Sequence, residues 1–124
     1  MRWFGLLPTL LVVEAAGLPG TYATRLVGTG SPVLDASWRV QLTAKDYRIL
    51  RNGHLAASGT LKVADTTVKF TDTGGPLACH GAVTIGTYTY ALLKNDGTTY
   101  LRLHVKHDGC PGRRAVLTQP LARV

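Results

Sequence analysis

Apolar and polar residues alternate with a period of two along most of this chain, and turn-forming residues break the pattern at short intervals. This feature most narrows what the chain can fold into. Trp38, Val40 and Leu42 alternate with Ser37, Arg39 and Gln41, and Tyr47 and Ile49 flank Arg48 in the same way. A period of two sends successive side chains to opposite faces of a strand, so each run reads as a strand with one buried and one solvated face. Asn52-Gly53 follows directly. Both positions of a two-residue hairpin favour left-handed backbone, which Asn and Gly adopt most readily. Leu55, Ala57, Gly59, Leu61 and Val63 then share one face up to a turn at Ala64-Asp65, and Val68 and Phe70 alternate with Thr67, Lys69 and Thr71. A loop from Asp72 to Gly81 contains Gly74-Gly75-Pro76. Beyond it, a strand from Ile85 to Lys94 turns at Asn95-Asp96-Gly97 into Tyr100 to Lys106, with Leu101, Leu103 and Val105 on one face. An earlier strand at Thr21 to Val27 carries Tyr22, Thr24 and Leu26 on one side, and a last strand is expected around Ala115 to Thr118.

The fold class is therefore all-β, with about eight strands. Sequential hairpins without helical crossovers imply an antiparallel up-and-down meander, and rolling it into a barrel removes two exposed edges. A two-layer sandwich of the same strands is the alternative. Eight strands enclose room for packed side chains or for one small ligand. Composition agrees: Glu14 is the only glutamate, which argues against long helices laced by Glu–Lys pairs. At 124 residues and 45% hydrophobic, the chain has material for one packed core.

Two segments are expected: an apolar stretch over residues 1–19 and a barrel domain over 20–124. Residues 1–17 read MRWFGLLPTLLVVEAAG, a basic residue before an apolar run and then small residues. This has two readings. One is a secretory signal peptide cleaved near Val13-Glu14-Ala15 or Ala15-Ala16-Gly17, which makes the protein secreted. The other is a retained short helix or lid, with Pro8 in its first turn and Trp3, Leu7, Leu10 or Leu11, and Leu18 covering one barrel end, in a cytoplasmic protein. The run is too short to span a membrane as a helix, so no stable membrane span is expected.

Lys and Arg outnumber Asp and Glu by 14 to 7, a net charge of +7. The cations Arg25, Arg39, Arg48, Arg51, Lys62, Lys69, Lys94, Arg102 and Lys106 are spread over different strands, as on the solvated face of a sheet. Nucleic-acid binders concentrate their charge, so no nucleic-acid partner is expected. No glycine-rich phosphate loop precedes a helix, and Ser31, Ser37 and Ser58 lie in no nucleophile elbow. Cys79, Cys110, His80, His104 and His107 lack the paired spacing of a zinc site, so neither metal nor cofactor is expected. Cys79 and Cys110, both in loops beside Gly and Pro at matching ends of adjacent hairpins, are expected to form a disulfide. The alternative is a pair of reduced thiols.

Several segments in order carry a resemblance. Gly20-Thr21-Tyr22 opens the first barrel strand. Thr71-Asp72 runs through Gly75-Pro76 to Cys79, followed by Gly86-Thr87-Tyr88-Thr89-Tyr90, Asp108-Gly109-Cys110 and Arg113-Arg114. Over residues 18 to 120 the chain resembles the small bacterial lipocalin-like domains of the calycin group. The resemblance implies a barrel whose cavity binds fatty or other apolar molecules. It also admits an enzyme, since some small calycin-like barrels of natural-product biosynthesis are cyclases that fold a polyketide chain inside the barrel. This chain departs from the pattern in having Tyr22 where lipocalins open with Gly-x-Trp, in its short length, and in showing no evident C-terminal helix.

The expected function is binding of a small hydrophobic or amphipathic molecule. The wall would be Trp38, Tyr47, Phe70, Tyr88, Tyr90, Leu101 and Leu103, with Tyr88, Tyr90 and Arg102 fixing orientation. The alternative is a cofactor-free cyclase or isomerase that positions a polyketide-like substrate. For it the catalytic candidates are Tyr88, Tyr90 and Glu14, the last a carboxyl that burial among Leu10, Leu11, Val13 and Leu18 would push upward. His104 falls on the polar face of its strand.

Overall fold

The computed structural model describes residues 11–12 and 17–124. Its strands are β1 (Leu11–Val12), β2 (Gly20–Leu26), β3 (Ala36–Leu42), β4 (Asp46–Arg51), β5 (His54–Ala64), β6 (Thr67–Gly74), β7 (Ile85–Asn95), β8 (Thr98–His107) and β9 (Leu121–Arg123); the described residues also form an α-helix, α1 (Pro111–Leu117), and a 3-10 turn at Gly81–Val83. Strands β2 to β8 pair in sequence order, and β9 lies between β8 and β2, closing an eight-stranded antiparallel barrel. The expected architecture is thus the observed one. The turns adopt the expected chemistry: Asn52, Asp65 and Asp96 take left-handed φ of 49°, 59° and 50°.

Residues 1–10 and 13–16, with Glu14 and most of the lid or leader segment, lie outside the described residues. Within that segment, Leu11–Val12 are extended and pair with Leu93 and Leu92 of β7.

The C-terminal region corrects the sequence reading. Ala115 to Thr118 is not a strand: α1 covers Pro111–Leu117, and the closing strand comes later, at Leu121–Arg123. Pro111 at the first helical turn has no N–H to leave unpaired. Arg113, Val116 and Leu117 are buried at i, i+3 and i+4. That spacing puts all three on one helical face, whereas an isolated Ala-Val-Leu run is equally strand-like. The chain therefore does have a short helix near its C-terminus.

Strand β5 holds a second correction. Ala56 and Ala57 are both buried while Leu55 is exposed, because a bulge between Ile49 and Leu50 puts Leu50 opposite Leu55 and Ile49 opposite Ala57. The extra residue of a bulge resets the alternation. Strand β6 also runs through Asp72 to Gly74, which the sequence places in a loop.

The barrel axis is filled. Tyr22, Tyr47, Phe70 and Tyr88 are buried, with Val40, Val68, Leu101, Leu103, Leu117 and Leu121 packed around them. Phe70 meets Tyr47 and Tyr88 edge to face, with centroids 5.0 and 5.7 Å apart. Edge-to-face pairs align a positive ring edge with a negative face, adding about 0.5–1.5 kcal/mol each beyond burial.

Alternating antiparallel strands give the barrel two distinct ends. At one lie the hairpin turns containing Asp46, Asp65 and Asp96. There Tyr22 donates to the Leu18 carbonyl (2.7 Å), and Arg123 Nη2 donates to Tyr22 Oη (2.6 Å) and to the Gly17 carbonyl. At the other end, the mouth, lie the loop 27–35, the β4–β5 hairpin, the loop 75–84 and α1.

Candidate functional site

Helix α1 turns Arg113 inward just below the mouth, between two strand-end carboxylates. Its fork is bidentate to Asp108, with Nε to Oδ2 at 2.8 Å and Nη2 to Oδ1 at 2.7 Å. Nη1 and Nη2 also donate to the Thr84 and Val83 carbonyls at 2.8 and 2.9 Å, and Nη1 lies 3.4 Å from Asp72 Oδ1. Four of the five N–H groups of the guanidinium are thereby hydrogen-bonded, and Nη1 is also ion-paired to Asp72, so the cation is already largely engaged.

The carboxylates are equally engaged. Asp72 accepts from Tyr47 Oη at Oδ1 and from the Cys79 N–H at Oδ2 (2.7 Å). Asp108 accepts from Tyr88 Oη at Oδ2 and from the Cys110 N–H at Oδ1 (2.9 Å). Two matching arms result, each a tyrosine, an aspartate and the N–H of a cysteine, held by one arginine. The cysteines are joined as the expected disulfide, Cys79–Cys110.

Electrostatics fix the protonation of this cluster. Burial alone would raise the Asp108 carboxyl, but donation from Arg113, Tyr88 and the Cys110 N–H outweighs it and holds the group below the ordinary carboxylate range. Burial, then the adjoining carboxylates, push the Tyr47 and Tyr88 hydroxyls far above the ordinary tyrosine range. Burial opposes the Arg113 cation, yet Asp108 and Asp72 more than offset it and its pKa rises. Both tyrosines therefore remain neutral donors, and Asp108 remains charged. Such a cluster holds its protons in place; it is a structural tie rather than an acid–base pair.

Two glycines give the arms room. A Cβ at Gly59 would run into the Thr71 backbone carbonyl and lie 2.6 Å from Tyr47 Oη, and one at Gly86 would press on the Asp108 carboxylate and lie 2.9 Å from Arg113 Nη2. Gly59→Ala is expected to lose about 1–3 kcal/mol in urea unfolding, because the obstructing atom is backbone and cannot swing aside. An unchanged midpoint would show that the strands separate freely there.

Above the cluster, a pocket of about 260 Å3 opens at the mouth. Its walls are Val33, Leu34, Trp38, Ile49, Ala56, Ala57, Leu77 and Val116, with Cys79, Cys110 and Gly112 to one side and Asp72 and Arg113 at its polar edge. The Trp38 indole N–H donates to the Leu34 carbonyl (2.9 Å), leaving the ring as an apolar wall.

Of the residues expected to line a ligand cavity, Trp38 borders this pocket. Tyr47, Phe70, Tyr88, Leu101 and Leu103 are buried in the packed axis below it, and Tyr90 is buried opposite Leu103. Arg102 is half-buried, alternates with the inward Leu101 and Leu103, and stands on the outer side of β8. Tyr88 donates to Asp108, so as a catalytic candidate it is already committed; Glu14 lies outside the described residues. His104 is exposed, and among the described residues no cluster of His, Cys, Asp or Glu fits a metal ion. Sequence reasoning missed Asp72, Asp108 and Arg113 as a unit. The available signal was the pair Thr71-Asp72…Cys79 and Asp108-Gly109-Cys110, an aspartate ahead of each cysteine.

Among the described residues, no helix is long and apolar enough to cross a membrane. No protein-family model matches the chain, and neither a curated protein nor a solved structure is significantly similar to it.

Proposed function

We propose that this domain binds one small, uncharged, apolar molecule in the mouth pocket. The observation that carries the reading is an open cavity with apolar walls whose neighbouring polar groups are all hydrogen-bonded already. A charged guest finds Arg113 already largely engaged, while an apolar guest loses water contact without displacing a hydrogen bond. Scaling from benzene in a cavity of ~150 Å3, the volume suits roughly ten non-hydrogen atoms. Burying about 250 Å2 of guest at about 25 cal/mol per Å2 gives roughly 6 kcal/mol, a Kd of tens to hundreds of micromolar.

A reading in which a polyketide-like chain folds inside the barrel has less support, because Tyr22, Tyr47, Phe70 and Tyr88 occupy the axis. The closed meander and the Gly20-Thr21-Tyr22 opening of β2 support kinship with the small lipocalin-like barrels, with the guest site moved from the axis to the rim. The disulfide supports action in an oxidising compartment.

The test is a titration with naphthalene and toluene, followed by the NMR signal of the Trp38 indole N–H. Saturable shifts are expected in the wild type. Ala57→Leu, which puts a larger side chain into the pocket wall, is expected to weaken binding at least about tenfold. Absence of saturation, or equal affinity in the variant, overturns the reading.

A further inference from the structure

The two ends of the barrel differ in chemistry. Val27, Val33, Leu77 and Leu55 are 68%, 48%, 44% and 38% exposed, and all four lie at the mouth. They belong to three loops that are tied together. Arg51 donates from Nε to the Val33 carbonyl (2.7 Å) and from Nη2 to the Pro32 carbonyl (2.9 Å), joining the 27–35 loop to the β4–β5 hairpin. The Leu77 N–H donates to the Ala56 carbonyl (2.8 Å), joining the 75–84 loop to β5. These four groups thus sit on segments held together beside the pocket; of the other exposed apolar residues, Ile85 and Val105 also lie toward the mouth, and Leu93 and Val124 toward the far end. A rimmed apolar patch of this kind marks a docking surface.

Exposed carboxylates are sorted along the same axis, although Lys45 and Lys94 flank those of the far end. Asp46, Asp65 and Asp96 sit in turns at the far end, whereas at the mouth Asp72 and Asp108 are buried against Arg113. The remaining mouth carboxylate, Asp35, is bonded to Thr29 through its N–H (2.9 Å) and hydroxyl (2.7 Å). Around the rim stand Arg25, Arg51, Lys106 and Arg114. Apolar side chains ringed by cations, with most exposed carboxylates at the opposite end, match a surface that is apolar within and anionic at its face.

We propose that the mouth docks on an anionic lipid bilayer, with Val27, Val33, Leu55 and Leu77 seated among the headgroups. Building on the pocket reading above, the guest then passes between bilayer and pocket without crossing water. The cations draw the mouth toward the negative leaflet. Val33 and Leu77 belong both to the rim and to the pocket wall, which joins the two functions in space.

The test is co-sedimentation of the full chain with vesicles of phosphatidylcholine alone and with about one third phosphatidylglycerol. Partition is expected to be at least about tenfold stronger on the anionic vesicles and to weaken as salt shortens the Debye length. The double variant Val27→Asp, Leu55→Asp replaces no pocket wall residue. It is expected to lose at least about tenfold in vesicle partition while keeping its melting temperature and its affinity for naphthalene. Ala57→Leu is expected to do the converse, keeping vesicle binding and losing the guest. Equal partition of wild type and double variant overturns the proposal, as does partition to neither vesicle. Self-association abolished by the double variant, with no vesicle binding, also overturns it and assigns the rim to a second copy of the chain.

Discussion

Arg113→Met is expected to lose about 3–5 kcal/mol of unfolding free energy at neutral pH, a large share of the roughly 5–15 kcal/mol typical of a folded domain. The size of the effect follows from what is left behind. Asp72 and Asp108 stay buried, with side chains 1% and 0% exposed, and two uncompensated carboxylates then remain out of water. The pH dependence distinguishes this from simple cavity formation. In the wild type the Asp108 carboxyl is held below its unfolded value. Its contribution is therefore fully present above the unfolded pKa, roughly pH 4, and is lost as pH falls through the lower folded value. In Arg113→Met, burial without the cation raises the Asp108 carboxyl above its unfolded value, since burial is the largest single influence on it. The penalty is then largest at neutral pH and is relieved as acidification protonates that group, so the variant gains stability on mild acidification, where the wild type does not. Urea unfolding at several pH values measures both slopes. A loss below about 1 kcal/mol, or parallel pH profiles, would show that the carboxylates do not depend on Arg113. Adding Asp72→Asn and Asp108→Asn to Arg113→Met is expected to recover part of the loss, since neutral amides tolerate burial better than lone carboxylates.

The strands were legible because one physical rule governs them. Trp38, Val40 and Leu42 face inward because a half-buried strand has no other way to segregate its side chains, and Asn52 takes left-handed backbone because a two-residue hairpin demands it. Rules of that kind are local. Legibility failed where a residue's role depends on what arrives from elsewhere. Arg113 reads as one more surface cation until α1 turns it toward carboxylates on β6 and beyond β8, 41 and five positions away in sequence. The bulge that buries both Ala56 and Ala57 leaves no periodic trace within β5, since it is created by pairing with β4. The pocket shares this non-local origin. Its wall joins Trp38, Val33, Leu77 and Val116 from four separate segments, so residues chosen for sharing a strand face fall mostly in the packed axis, with Trp38 alone of them at the mouth. The disulfide was legible as a pair, but not its placement beside the two carboxylates.

Reduction of Cys79–Cys110, or its replacement by two serines, is expected to lose about 3–4 kcal/mol, a second effect on the scale of the first. The cross-link spans 31 residues, and in the chain-entropy account opening a loop of that size frees the unfolded chain by this amount. The cross-link and the arginine are not independent. The Cys79 N–H donates to Asp72 and the Cys110 N–H to Asp108, so the bridge holds together the backbone segments that present both carboxylates to Arg113. Once it is broken, each arm can drift with its aspartate toward water, and the cation then has less to neutralise. Loss of the bridge should therefore make the loss of Arg113 less costly. A double-mutant cycle built on Arg113→Lys, which keeps the charge but removes the planar fork, is expected to show at least about 1 kcal/mol of coupling. Additive losses would mean that the bridge acts on the unfolded chain alone. The pocket supplies an independent reading, because Cys79 and Cys110 border it. With the bridge open, naphthalene affinity is expected to fall even where the protein remains folded, since one wall is no longer fixed. Unchanged affinity in a folded, reduced protein would separate the pocket from the cross-link and confine the role of the bridge to stability.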